Sequence, residues 1–207
     1  MGNAVETLIA TLEEEATEDR DLPDTPHIGI IMGSDSDLDV MSGAHNALSD
    51  LGFTETTAGS DPTEATCTFE SYVVSAHRTP DLMYTYARTA TDRGVDVIIA
   101  GAGGKSADLP NMTASIAYPL PVIGVPVQEK SVNSVIGMPK GAPIVAVDAG
   151  KSFNAALSAV QMLSIAYPAL REQLTAYHTE LRDGVGTVSQ QLHRTGTPAF
   201  LSEQQEQ

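Results

Sequence analysis

The chain alternates short, largely apolar runs with stretches of helical length, and no other feature limits its fold as strongly. Strand-like runs fall at 27–32, 69–75, 95–100, 121–126 and 143–147. The runs at 27–32, 95–100 and 121–126 are nearly continuous in Val, Ile, Ala and Met rather than alternating with polar residues. Continuous apolar strands are buried on both faces, as in a parallel sheet covered by helices. Between the runs, helical patterns cover 38–51, 81–93, 109–117 and 152–166. In the first of these, Leu38, Met41, Ala44 and Leu48 recur at helical spacing. Strands joined by helix-length crossovers pair in parallel. A five-stranded parallel sheet between two helical layers is predicted.

Three loops then stand out, because each leaves the carboxyl end of a predicted strand and opens a predicted helix. The first is Gly33-Ser34-Asp35-Ser36-Asp37. Its glycine and two serines offer N–H and hydroxyl donors at a helix start, which suits a phosphate. An aspartate there suits a sugar hydroxyl or a helix cap better than the phosphate itself. The second is Ser75-Ala76-His77-Arg78-Thr79-Pro80. A histidine moves protons near neutral pH, and an arginine presents a permanently charged fork to phosphate. The third, Gly101-Ala102-Gly103-Gly104, lets backbone approach a ligand closely. It lacks the spacing of an ATP-binding loop or of a dinucleotide fingerprint. In a flavodoxin-like strand order the three loops meet at the switch point of the sheet. Ser34, Ser36, Asp37, Ser75, His77, Arg78 and Gly103 are therefore the candidate site.

Composition closes off other classes. The 207 residues carry 11 Lys and Arg against 27 Asp and Glu, a formal net charge of −16. A broad basic face for nucleic acid is excluded as the basis of function. No apolar run approaches the ~20 residues of a membrane helix, and the acidic start lacks a signal peptide's basic region, so a cytoplasmic protein is expected. The single cysteine, Cys67, has no internal disulfide partner and no histidine near it in sequence. With no Trp, and no aromatic residue in the three loops, a flavin carrier is disfavoured.

The periphery carries less information. Residues 1–26 read as an acidic, solvated arm or loose helix, and 53–68 as a polar loop insertion in the 27–167 domain. Residues 168–207 read as a further helix and a tail. Leu170, Leu174, Tyr177, Leu181 and Val185 form an apolar stripe there, for which a five-stranded sheet leaves no obvious place. It packs either on its own sheet or on another subunit.

The three loops, followed by Pro121-Val122-Ile123-Gly124-Val125-Pro126-Val127 and Met138-Pro139-Lys140-Gly141, resemble the PurE family of purine biosynthesis. Its members are N5-carboxyaminoimidazole ribonucleotide mutases or the related aminoimidazole ribonucleotide carboxylases. The resemblance runs in order from about residue 28 to residue 166. It implies a flavodoxin-like three-layer fold and a homo-octamer with sites near subunit boundaries. It implies a ribonucleotide substrate, no organic cofactor and no metal, and, for a mutase, an ATP-dependent N5-carboxyaminoimidazole ribonucleotide synthetase as functional partner. By position, Ser34 and Arg78 would hold the phosphate, Asp37 the ribose hydroxyls, and His77 would transfer the proton. Direct carboxylation by CO2 is the alternative within the family, and a non-catalytic flavodoxin-like binding module the alternative outside it. The chain departs from the family at Asp108, where the mutase branch usually has a histidine, and at Lys105 and Ser106, where small residues are usual.

The acidic excess, with only four lysines, points to a salt-rich cytoplasm, because like charges repel less when screened. The melting temperature should rise between low and molar KCl; equal or greater stability at low salt contradicts this reading.

Overall fold

The computed structural model describes residues 3–17, 27–57 and 67–205. Its sheet has six parallel strands in the order β2-β3-β1-β4-β5-β6. The strands are β1 (His27–Met32), β2 (Thr54–Glu55), β3 (Thr68–Val73), β4 (Val97–Ala102), β5 (Val122–Pro126) and β6 (Val145–Ala146). The helices are α1 (Ala4–Thr17), α2 (Leu38–Asp50), α3 (Pro80–Thr89), α4 (Leu109–Ile116), α5 (Val132–Ile136), α6 (Ser152–Leu163), α7 (Pro168–Thr195) and α8 (Thr197–Gln205). Apart from the edge strand β2, the order is the expected flavodoxin-like one.

Two cores sandwich the sheet. On one face Ile28, Ile30, Met41, Leu48, Phe69, Ile99 and Val160 join α2 and α6 to the strands. On the other, Ile31, Leu82, Met83, Tyr86, Ile98 and Leu109 join α3 and α4 to them. Alternate residues of β1 and β4 enter opposite cores, which is why their sequences are apolar throughout.

The edges differ from the sequence reading. The segment 53–68, read as loop, contributes the edge strand β2, which pairs Thr54 with Thr68 and Glu55 with Phe69. Two polar residues at a sheet edge give no periodicity to detect. Residues 58–66 of that segment lie outside the described residues. β4 starts and ends two residues later than expected, because Gly101 and Ala102 still pair with β5, opposite Val125 and Pro126. The glycine-rich loop thus begins inside the sheet.

The N-terminal segment is not a solvated arm over 4–17. α1 packs on α3, and Leu12 is fully buried, with Val5 and Ile9 beside it. Burying one leucine is worth roughly 1.5–3 kcal/mol, enough to dock a short helix whose exposed face is acidic. Residues 18–26 lie outside the described residues. The C-terminal helix begins at Pro168 itself, where proline suits the first turn. It continues for 28 residues, and the region read as tail forms α8. Leu170 is buried and Leu174 and Tyr177 pack on α6, while Leu181, Val185, Val188 and Leu192 are exposed.

An ionic cluster sits between β3 and α3. Both Glu70 carboxylate oxygens accept from Arg93 Nη1 at 2.9 Å, and Oε1 also accepts from the Tyr86 hydroxyl at 2.7 Å. Arg93 stacks over the Tyr86 ring and lies 3.6 Å from Glu15 of α1. Burial alone would raise the Glu70 carboxyl; the His27 contact and the Arg93 guanidinium outweigh it and hold it at about 2. A carboxyl depressed on folding adds stability that is present above its unfolded value and lost as the folded value is approached from above. Acid unfolding should therefore steepen between about pH 4.5 and about pH 2. Arg93→Met, which strands a buried carboxylate, should cost ~3–5 kcal/mol in denaturant unfolding, and Glu70→Leu added to it should restore most of that. A double variant no more stable than the single one contradicts this.

Candidate active site

The parallel register determines where the three loops end. Met32 of β1 lies opposite Val73 of β3 and Gly101 of β4, so the chain leaves all three strands at the same height. The Gly33 N–H donates to Gly101 O at 3.1 Å and Val74 N–H to Met32 O at 2.9 Å, extending the ladder into the loops. The result is one pocket of about 440 Å³ at the carboxyl edge of the sheet. Ser34, Ser36, Asp37, Ser75, His77, Arg78 and Gly103 all line it. Every sequence-derived candidate is thus brought to one place, where open α/β sheets bind ligands.

Each side chain is held locally. Arg78 is anchored to the first loop by donating from Nη2 to Gly33 O at 3.0 Å. Ser75 Oγ accepts from the Arg78 backbone N–H at 3.2 Å, and Thr79 Oγ1 accepts from the Ser75 N–H at 2.9 Å. These bonds close the turn that presents His77. Pro80 then opens α3 in its first turn. Ser34 caps the 3-10 turn at Asp35–Asp37, its Oγ accepting from Ser36 N–H at 3.3 Å and donating to Asp35 at 2.9 Å. The Ser34 hydroxyl bond beside it holds the exposed Asp35 carboxyl below its ordinary range.

Asp37 is different. It precedes α2, yet its carboxylate makes no capping bond. It is only 6% exposed, and burial pushes its carboxyl up, partly offset by the backbone N–H groups of Ser34, Gly103 and Gly33 and by Arg78. A buried acceptor not used in capping can receive ligand hydroxyls. The pocket is also mixed in charge: Arg78 and Lys130 line it with Asp37 and Asp108.

Sequence reasoning missed part of this lining. Ser106, Asp108, Gln128 and Lys130 also face the pocket. His77 Nε2 lies 3.1 Å from Asp108 Oδ2. The sequence marks Asp108 only as a departure from the family. Its place beside His77 depends on β4 and α4, 31 residues further along the chain.

A parallel α/β sandwich with a hydroxyl-, guanidinium- and imidazole-bearing pocket at its switch point defines the class of open α/β proteins that bind small molecules at the carboxyl edge of the sheet. The comparisons narrow the class. The AIR carboxylase family model matches residues 27–184. An N5-carboxyaminoimidazole ribonucleotide mutase of Pyrococcus horikoshii is 41% identical over 184 residues, 86% of this chain and 95% of that one. A mutase of the same name from Mycobacterium tuberculosis is 45% identical over 175 residues, 82% of this chain and 91% of that one. The crystal structure of Treponema denticola PurE superposes with a TM-score of 0.61 at 21% identity, covering 83% of this chain and 99% of that one, and supports the fold. The chain belongs to the AIR carboxylase, or PurE, family.

Gly103 faces Asp37 so closely that a Cβ there would sit 2.9 Å from Asp37 Oδ1. Gly103→Ala should displace that carboxylate and weaken binding of 5-aminoimidazole ribonucleotide about tenfold by calorimetry, roughly the loss of one charged hydrogen bond, with little change in melting temperature. Unchanged affinity contradicts the expectation that Asp37 receives the ribose hydroxyls.

Proposed function

We propose that the protein is an N5-carboxyaminoimidazole ribonucleotide mutase, an isomerase of purine biosynthesis. It moves the carboxylate from the exocyclic nitrogen to the ring carbon, giving 4-carboxy-5-aminoimidazole ribonucleotide. The observation that carries this is the meeting of His77 with Ser34, Asp37 and Arg78 around one pocket. The names of the relatives at 41% and 45% identity favour the mutase over direct carboxylation. A non-catalytic module does not account for an imidazole placed beside a phosphate-type cradle.

In this reading Ser34 and Arg78 bind the phosphate, with Ser36 and Ser75 beside them, and Asp37 accepts from the ribose hydroxyls. The aminoimidazole then lies towards His77 and the Gly103 backbone. His77 donates a proton to the exocyclic nitrogen as its bond to the carboxylate breaks, and CO2 is released. The electron-rich ring carbon attacks that CO2, forming the new carbon–carbon bond. His77, now neutral, removes the proton from the same ring carbon and aromaticity returns. One imidazole serves as acid and then base, so no proton is gained or lost overall. Holding CO2 beside the ring replaces a bimolecular encounter.

The chain acts on a small-molecule ribonucleotide. The assembly we infer is a homo-octamer in a salt-rich cytoplasm, supplied by an ATP-dependent synthetase that carboxylates the exocyclic nitrogen. The exposed stripe Leu181, Val185, Val188 and Leu192 on α7 supports burial against other subunits. A monomer by light scattering contradicts that assembly. No described helix is long and apolar enough to cross a membrane.

His77→Asn should lower kcat by about 10²–10⁴-fold while the affinity for the ribonucleotide stays close to wild type, because the phosphate contacts are untouched. Near-normal turnover in this variant removes His77 from the mechanism. Assays with both substrates at low bicarbonate separate mutase from carboxylase.

A further inference from the structure

Asp108 occupies the position before α4 where an aspartate ordinarily spends its carboxylate on capping the helix. Here it makes no capping bond. One oxygen, Oδ1, accepts instead from the Ser134 hydroxyl at 3.1 Å, and the other, Oδ2, lies 3.1 Å from His77 Nε2. Ser134 is itself fixed, its carbonyl accepting from the Asn111 side chain of α4 at 2.5 Å. A chain of contacts therefore runs from α4 and α5 through Asp108 to the imidazole. A carboxylate has no proton to give, so the bond to His77 requires Nε2 to carry the hydrogen. A neutral ring then has its lone pair on Nδ1.

We propose that Asp108, tethered by Ser134, is the positioning residue for His77: it fixes the ring's orientation and tautomer, so that Nδ1 exchanges the proton with the substrate. This rests on the reading of His77 as the proton-transfer residue. The His77 and Asp108 side chains are 61% and 42% exposed, so the pair holds little of the fold's stability. Its value lies in geometry, since a misplacement of about 1 Å in a reacting group can cost about 100-fold in rate. Ser134 holds the other carboxylate oxygen and so limits rotation of the group.

The test uses Asp108→Ala, Asp108→Asn and Ser134→Ala in the full chain, with steady-state kinetics on N5-carboxyaminoimidazole ribonucleotide and ¹⁵N NMR of the His77 ring. Asp108→Ala should lower kcat by about 10- to 100-fold with KM nearly unchanged. At a pH where the ring is neutral, its ¹⁵N signals should move from the Nε2–H tautomer towards a mixture. Asp108→Asn, whose amide oxygen can still accept from Nε2–H, should keep more activity than the alanine variant, and Ser134→Ala should show a smaller fall in the same direction. Wild-type kcat in Asp108→Ala, or an unchanged tautomer in it, overturns the proposal. Normal turnover in Asp108→Ala beside an inactive His77→Asn overturns only this proposal; a wild-type chain that does not convert the substrate overturns the functional reading with it.

Discussion

The in-register pairing of β1 with β3 on one side and β4 on the other is the constraint on which everything else rests. Because the three strands are parallel and level, three successive loops emerge together at one edge. The bond from Arg78 to the Gly33 carbonyl ties two of them directly. Gly103 and the Asp37 carboxylate, almost in contact, bring the third against the first. A slip of β3 by one residue would exchange its core and solvent faces and move the His77 turn out of level with the other two loops.

The side chains that line the pocket are therefore positioned by ordinary loop geometry. None of them needs a deep cavity, and β1 and β4 below them are ordinary apolar β-structure. The cost appears in two places. Asp37 is buried with its carboxyl raised, and the glycine run accepts backbone close to another loop. At the opposite end of β3 the same strand carries Glu70, whose pairing with Arg93 and Tyr86 locks α3 to the sheet.

Legibility in the sequence followed burial. The interior strands β1, β4 and β5 announced themselves as nearly continuous apolar runs, β3 showed less plainly with Glu70 and Ser71 inside it, and the carboxyl ends of β1, β3 and β4 delivered the seven candidate residues. The edge strand β2 was illegible because Thr54 and Glu55 carry no apolar signal. A loose helix could be read for α1, but not its docking: charged residues dominate its composition, whereas Val5, Ile9 and Leu12 make the apolar contact. The long reach of α7 could be read from its stripe, but α8 after it could not, since Thr197–Gln205 carries few apolar residues and no stripe. Asp108 and Ser134 are separated by 26 residues, and no local pattern links them to His77. Only the packing of α4 and α5 does so.

The most direct measurement is a crystal structure of the protein with 5-aminoimidazole ribonucleotide bound. The account predicts phosphate oxygens on Ser34 and Arg78, the ribose hydroxyls on Asp37, and the imidazole ring within hydrogen-bond reach of His77. A phosphate seated elsewhere, or a His77 ring many ångströms from the base in every subunit, would contradict it.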